Sequence, residues 1–118
     1  MMHKSLQALG RLPVGQMNKS EKAYELHLKK MLNDGLILWY KFEAIKFRLA
    51  DRTYYTPDFL VLNGRNELEV HEVKGSPAIF LDDAKVKVKA CADMYPMIFL
   101  VAFPKKGTRM TEWDVNEV

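Results

Sequence analysis

The stretch Tyr55-Thr56-Pro57-Asp58-Phe59-Leu60-Val61-Leu62-Asn63-Gly64-Arg65-Asn66-Glu67-Leu68-Glu69-Val70-His71-Glu72-Val73-Lys74-Gly75 decides how the chain reads. Its centre, Asn63-Gly64-Arg65-Asn66, is a hairpin turn, because Asn and Gly tolerate the backbone angles a tight reversal needs. The β-branched and aromatic run before it predicts a strand from Tyr54 to Leu62, with Pro57 at its start or at an edge. The run after it predicts a strand from Glu67 to Lys74, stopped by Gly75-Ser76-Pro77.

Upstream of the hairpin, Ile45, Phe47 and Leu49 alternate with Lys46 and Arg48. That is the two-residue period of a strand with one wet face, and Asp51-Arg52 turns it into the next strand. Further upstream, Tyr24, Leu28, Met31 and Leu32 form a helical stripe. Asn18 or Ser20 can cap that helix, and Gly35 ends it. Residues 1–17, with Gly10, Pro13 and Gly15, read as an irregular arm ahead of one domain over 18–118.

Downstream, Leu81, Ala84, Val88, Cys91, Ala92 and Tyr95 predict a helix from Leu81 to Met94, blocked by Pro96. Met97 to Phe103 is an unbroken apolar run suited to a strand covered on both faces. The tail around Trp113 and Val115 can add a short strand or pack on the surface. The hairpins make the first three strands antiparallel. The helix before the fourth is a crossover, so the fourth runs parallel to the third. The expectation is an α/β (α+β) fold of order αβββαβ, a mixed four-stranded sheet flanked by helices.

The chain has 118 residues and a net charge of +3. That length suits one domain, and the 48% hydrophobic content is enough for a real core. The single cysteine, Cys91, excludes an internal disulfide framework and a cysteine zinc knuckle. The sequence predicts no membrane span and no signal peptide, and the expected location is the cytoplasm.

Charge is distributed unevenly. Residues 1–50 carry 9 basic and 4 acidic side chains, residues 51–83 carry 3 and 7, and residues 84–118 carry 6 and 4. The segments therefore hold +5, −4 and +2. An acidic centre between basic flanks suits carboxylates that hold a divalent cation and flanks that hold a polyanion.

Three polar residues carry chemistry in the hairpin. Side chains two apart share a strand face, so Glu72 and Lys74 lie in line with Leu68 and Val70. A carboxylate and an ammonium in line with core residues are costly unless paired or ligated. Hairpin pairing can bring Asp58 near Glu72, and a divalent cation relieves the repulsion between them. All-oxygen ligation suits Mg²⁺, with Mn²⁺ as a substitute. Such a cation polarises a phosphoryl oxygen and acidifies water, while Lys74 orients that water or stabilises charge on the phosphate.

Glu21 falls on the core-facing stripe of the first helix, where it can complete the metal shell or bind a second ion. Glu25 lies one turn on and is the alternative. His71 points off the Glu72 face and reads as structural or exposed. Tyr54, Tyr55, Trp39 and Tyr40 read as packing, with base stacking the alternative. Cys91 reads as a small core residue.

Pro57-Asp58, the 13 residues 59–71, and then Glu72-Val73-Lys74 resemble the motif of the PD-(D/E)XK nuclease superfamily. The expected element order resembles that superfamily's restriction-endonuclease-like core over most of the chain. The nearest resemblance is to small phage nucleases and to phage Holliday-junction resolvases of the endonuclease I type. It rests on Thr56-Pro57-Asp58-Phe59-Leu60, Glu72-Val73-Lys74-Gly75 and Asp82-Asp83.

The resemblance implies that Asp58 and Glu72 are metal ligands, with the Val73 carbonyl as a further ligand. It implies that Lys74 is the catalytic lysine and Glu21 the first-helix acid, or Glu25 if the helix starts later. A polar residue of the second helix facing the site would be Lys87, with Lys85 on the other side of the stripe. The implied activity is Mg²⁺-dependent DNA endonuclease, selective for branched DNA, in phage DNA metabolism. A resolvase needs two sites, hence a homodimer, and a small catalytic core suggests a protein partner for selectivity. Lys85, Lys87, Lys89, Lys46, Arg48, Lys105 and Lys106 are the expected DNA contacts. The competing expectation is a non-catalytic nucleic-acid- or protein-binding module on the same scaffold.

Overall fold

A computed structural model describes residues 15–77, 80 and 82–118. Most of the expected arm over 1–17 therefore lies outside the described residues, as do Leu81 of the second helical stripe and the side chain of Asp82. The chain forms a mixed α/β fold of two helices, α1 (Lys19–Asn33) and α2 (Asp82–Met94), with a five-stranded mixed sheet. The strands of that sheet are β1 (Ile37–Phe42), β4 (Phe59–Asn63), β5 (Leu68–Val73), β6 (Ile98–Pro104) and β7 (Trp113–Glu117), in the spatial order β1-β4-β5-β6-β7. A separate antiparallel ribbon pairs β2 (Phe47–Ala50) with β3 (Thr53–Tyr55).

β4 and β5 pair antiparallel, and β6 runs parallel to β5. Asn63 sets the hairpin: its Oδ1 accepts from Arg65 N and Glu67 N, and Asn66 takes the left-handed backbone (φ 63°) that asparagine tolerates.

Three sequence expectations change. The first strand of the main sheet is Ile37–Phe42, while the alternating stretch around Phe47 forms the ribbon. The expected strand Tyr54–Leu62 is two strands, β3 and β4, divided at Thr56-Pro57-Asp58. Proline lacks an N–H for the ladder and restrains the residue before it, so the chain leaves one sheet and joins another at this point. The main sheet has five strands rather than four, because the tail adds β7 antiparallel to β6 at the edge.

Two cores cover the two faces of the sheet. Tyr24 and Leu28 of α1 pack on Phe59, Val61, Val73, Ala102 and Trp113. Val88 and Cys91 of α2 pack on Leu60, Val70 and Phe99, with Phe47 and Tyr55 of the ribbon joining them. Burial of the Cys91 thiol pushes its pKa up to about 11, as a buried structural thiol requires. Leu28 is fully buried, and its side chain contributes about 2 kcal/mol through removal from water. Among the described residues no helix is long and apolar enough to cross a membrane.

Candidate active site

The start of α1 is built by a capping box. Asn18 Oδ1 accepts from Glu21 N (2.8 Å), and Glu21 Oε1 accepts from Asn18 N (2.9 Å). These bonds fix the rotamer of Glu21 and aim its carboxyl group toward Asp58. The helix is pinned one turn later by a buried polar chain. Tyr24 Oη lies 2.6 Å from His71 Nδ1, and His71 Nε2 lies 2.8 Å from Glu69 Oε1. A carboxylate only accepts, so Nε2 is the ring nitrogen that donates to Glu69, and Nδ1 is the one that meets the Tyr24 hydroxyl. Asn63 Nδ2 donates to Glu69 Oε2 (2.9 Å), and the His71 bond is the main influence holding the Glu69 carboxyl below its ordinary range. His71 is thus buried and structural, on the sheet face opposite Glu72.

Asp58 sits where the chain passes from the ribbon to the sheet. Its backbone carbonyl accepts from Glu43 N (2.8 Å), and its Oδ2 accepts from Val73 N (2.7 Å). The turn after β1 and the end of β5 therefore hold the residue from both sides. Glu72 is 7% exposed; its Oε1 accepts from Tyr55 Oη (2.7 Å), and its Oε2 lies 3.1 Å from Lys74 Nζ. Burial first, then the charge of Glu72, then the Glu21 carboxyl push Asp58 well above the usual carboxylate range, against the lowering effect of the Val73 N–H. Burial and the adjacent Glu72 likewise push the Tyr55 hydroxyl far up, so it is a donor at any working pH.

Asp58, Glu72, Lys74 and Glu21 all line one cleft of about 940 Å³, together with Tyr55 and Lys87. Of the two alternatives on α1, Glu21 is the one in the cleft. Glu25 turns aside, accepting from Tyr40 Oη (3.1 Å) and facing Lys29 Nζ (3.8 Å). On α2, Lys87 lines the cleft and Lys85 and Lys89 are exposed elsewhere on the helix. Lys46 lies over the Tyr54 ring (4.3 Å), and Arg48 faces Asp51 (3.9 Å) on the ribbon. Lys105 and Lys106 line a second cavity after β6.

Tyr55, which the sequence reads as packing or base stacking, instead belongs to the site through its bond to Glu72. Nothing in a strand tyrosine's neighbourhood distinguishes a hydroxyl aimed at a carboxylate from one packed in a core. Glu43 and Asp83, which also line the cleft, carried no motif signal beyond Asp83's place in the Asp82-Asp83 pair.

The donors gathered here are hard oxygens, which fit a small divalent cation better than a soft metal. Among the described residues, no three His, Cys, Asp or Glu side chains stand close enough together to hold an ion as they are. No family model matches the sequence, and no curated protein or solved structure matches it.

Proposed function

We propose that the chain is a Mg²⁺-dependent DNA endonuclease of the PD-(D/E)XK type that hydrolyses phosphodiester bonds. The observation that carries the reading is the meeting of Asp58, Glu72 and Lys74 in one cleft, with Glu21 entering from the start of α1. Asp58 and Glu72 would hold the cation, with the Val73 carbonyl and Glu21 available to complete its shell. Bound there, Mg²⁺ supplies charge to polarise a phosphoryl oxygen and to acidify a water molecule.

The chain's own side chains do the rest. Lys74, placed 3.1 Å from Glu72, donates hydrogen bonds that orient the attacking water and offset charge growing on the phosphate. Tyr55 fixes the Glu72 carboxylate from its other oxygen. Lys87 offers a cation to the phosphate from α2. The motif's likeness to phage junction resolvases makes branched DNA the preferred substrate, a homodimer the working form, and a phage-infected cell's cytoplasm the setting.

Cleavage of matched linear, flap and four-way DNA in Mg²⁺, Mn²⁺ and EDTA tests this. The proposal expects metal-dependent cutting, fastest on the branched forms. Equal rates on linear and branched DNA remove the junction preference, and no cutting of any form removes the nuclease reading. A second reading, a non-catalytic nucleic-acid- or protein-binding module, is favoured by one observation: both Glu72 oxygens are already engaged by Tyr55 and Lys74. It expects DNA or protein binding that is indifferent to Asp58→Ala and Lys74→Ala.

A further inference from the structure

The loop between β6 and β7 builds a second cavity, of about 410 Å³, whose lining is opposite in character to the catalytic cleft. Lys105, Lys106 and Arg109 line it together with Gly75 and Ser76. No carboxylate lines it among the described residues, and none of its three cations is within salt-bridge reach of a described acid. The cleft, by contrast, gathers Glu21, Glu43, Asp58, Glu72 and Asp83 against two lysines. One site suits a cation and the other an anion.

Backbone and threonine hydrogen bonds brace the loop that carries these exposed cations. Lys105 N donates to Glu112 O (2.8 Å), Thr108 Oγ1 to Lys105 O (2.6 Å), and Thr111 Oγ1 to Thr108 O (2.6 Å). Gly107, Arg109 and Met110 all adopt left-handed backbone (φ 78°, 53° and 63°), which curls the loop back on itself. The two sites are also joined by the chain. Lys74 lines the cleft, and Gly75, the next residue, lines the cavity. The two linings therefore meet at the Lys74–Gly75 peptide, so one bound strand can contact both.

The geometry points to the β6–β7 cavity as a second phosphate-binding site that holds the sugar-phosphate backbone a few nucleotides from the bond cut at Lys74. This rests on the nuclease reading of the cleft and adds to it. The substrate is a polynucleotide long enough to fill both sites, and a single phosphodiester is a poor one.

The test compares wild type with the triple variant Lys105→Ala, Lys106→Ala, Arg109→Asn. Asparagine is chosen because residue 109 sits at positive φ. Binding of a fluorescein-labelled DNA duplex is measured in EDTA across a salt series, and cleavage of thymidine 5′-(4-nitrophenyl) phosphate is measured in Mn²⁺. The expected result is a roughly 10- to 100-fold weaker DNA affinity near 0.1 M salt, with the log–log salt slope reduced by about 2–3, since each lost phosphate contact removes about 0.9. Cleavage of the small ester stays within about twofold, and the charge-keeping variant Lys106→Arg binds DNA like wild type.

Unchanged affinity and slope in the triple variant overturn the inference, as does an equal loss in Lys106→Arg. The two readings fail separately. A slope change in a protein that cuts nothing sustains the cavity and removes the nuclease, whereas cutting with an unchanged slope does the reverse.

Discussion

Replacing Asp58 with asparagine should make the metal-free protein more stable while removing its response to metal. Asp58 is held by Val73 N at 2.7 Å and shares its pocket with the carboxyl groups of Glu72 and Glu21. Two like charges about 6 Å apart repel by about 3 kcal/mol at an effective dielectric near 20. The bond from Val73 N offsets about 1.5 kcal/mol of that. An amide oxygen can still accept from Val73 N, and its NH₂ can donate to Glu72. The net gain for Asp58→Asn is therefore about 1–2 kcal/mol at pH 8, the size common for substitutions that relieve a functional site. At about 4 °C per kcal/mol for a domain of this length, the melting temperature rises by about 4–8 °C.

The sign with pH follows from linkage. A carboxyl group whose folded pKa is raised binds more protons folded than unfolded, so wild-type stability falls as pH rises from its unfolded value of 3.8 through the elevated folded value. The advantage of the asparagine variant is absent near pH 3.5 and grows to its full size above the folded pKa. Metal reverses the ranking. A ligand at 100 times its Kd stabilises by about 2.7 kcal/mol, so wild type with saturating Mn²⁺ gains about 10 °C and the variant gains almost nothing. Thermal denaturation followed by circular dichroism, in EDTA and in Mn²⁺ at both pH values, reads all of this. Equal melting temperatures in EDTA at pH 8, or an equal Mn²⁺ response, would show that Asp58 neither repels Glu72 nor holds the metal.

Tyr55→Phe removes a buried bond to a carboxylate and is expected to cost about 1.5–3 kcal/mol by urea denaturation. The same change should lower kcat for DNA cleavage about 10-fold by loosening Glu72, with the far-ultraviolet spectrum unchanged. Tyr24→Phe leaves His71 Nδ1 buried without its partner, and should destabilise by about 1–3 kcal/mol. Leu28→Ala, at a fully buried position, should cost about 2–5 kcal/mol and leave the Mn²⁺ response of the folded fraction intact. Glu69→Gln should flatten the loss of stability on acidification. A carboxyl group held below its ordinary range contributes stability present above its unfolded pKa and lost as pH falls through its folded value.

The hairpin from Phe59 to Val73 was readable because its turn chemistry and strand residues agree with its tertiary environment. The same agreement made α1 readable: Asn18, Glu21 and Gly35 supply its cap, its first-turn acid and its left-handed stop at φ 74°. Ile37–Phe42 was not distinguished, because Leu36 to Tyr40 is apolar without a two-residue period, and a bulge between Ile37 and Trp39 breaks the alternation of burial. The alternating stretch at Phe47 looked like a sheet strand for the converse reason. A half-buried ribbon has the same period as a half-buried sheet, and sequence does not say which partner it pairs with. For the site, Asp58, Glu72 and Lys74 stood out because charged residues in line with core positions need partners. Tyr55 did not, since its role depends on Pro57 redirecting the chain so that a tyrosine from one sheet reaches a glutamate in the other.

The most direct test of the central claim is the rate of DNA cleavage in Mg²⁺ by wild type and by Lys74→Ala, with Mn²⁺ binding to both proteins measured alongside. Lys74 is half-buried beside Glu72, where the proposed reaction needs a group to orient water and offset phosphate charge. Metal-dependent cutting by wild type is expected, with a loss of at least about 100-fold in the variant and a metal affinity that survives the change. Cleavage by Lys74→Ala at the wild-type rate, or no cleavage by wild type on any DNA form, would contradict it.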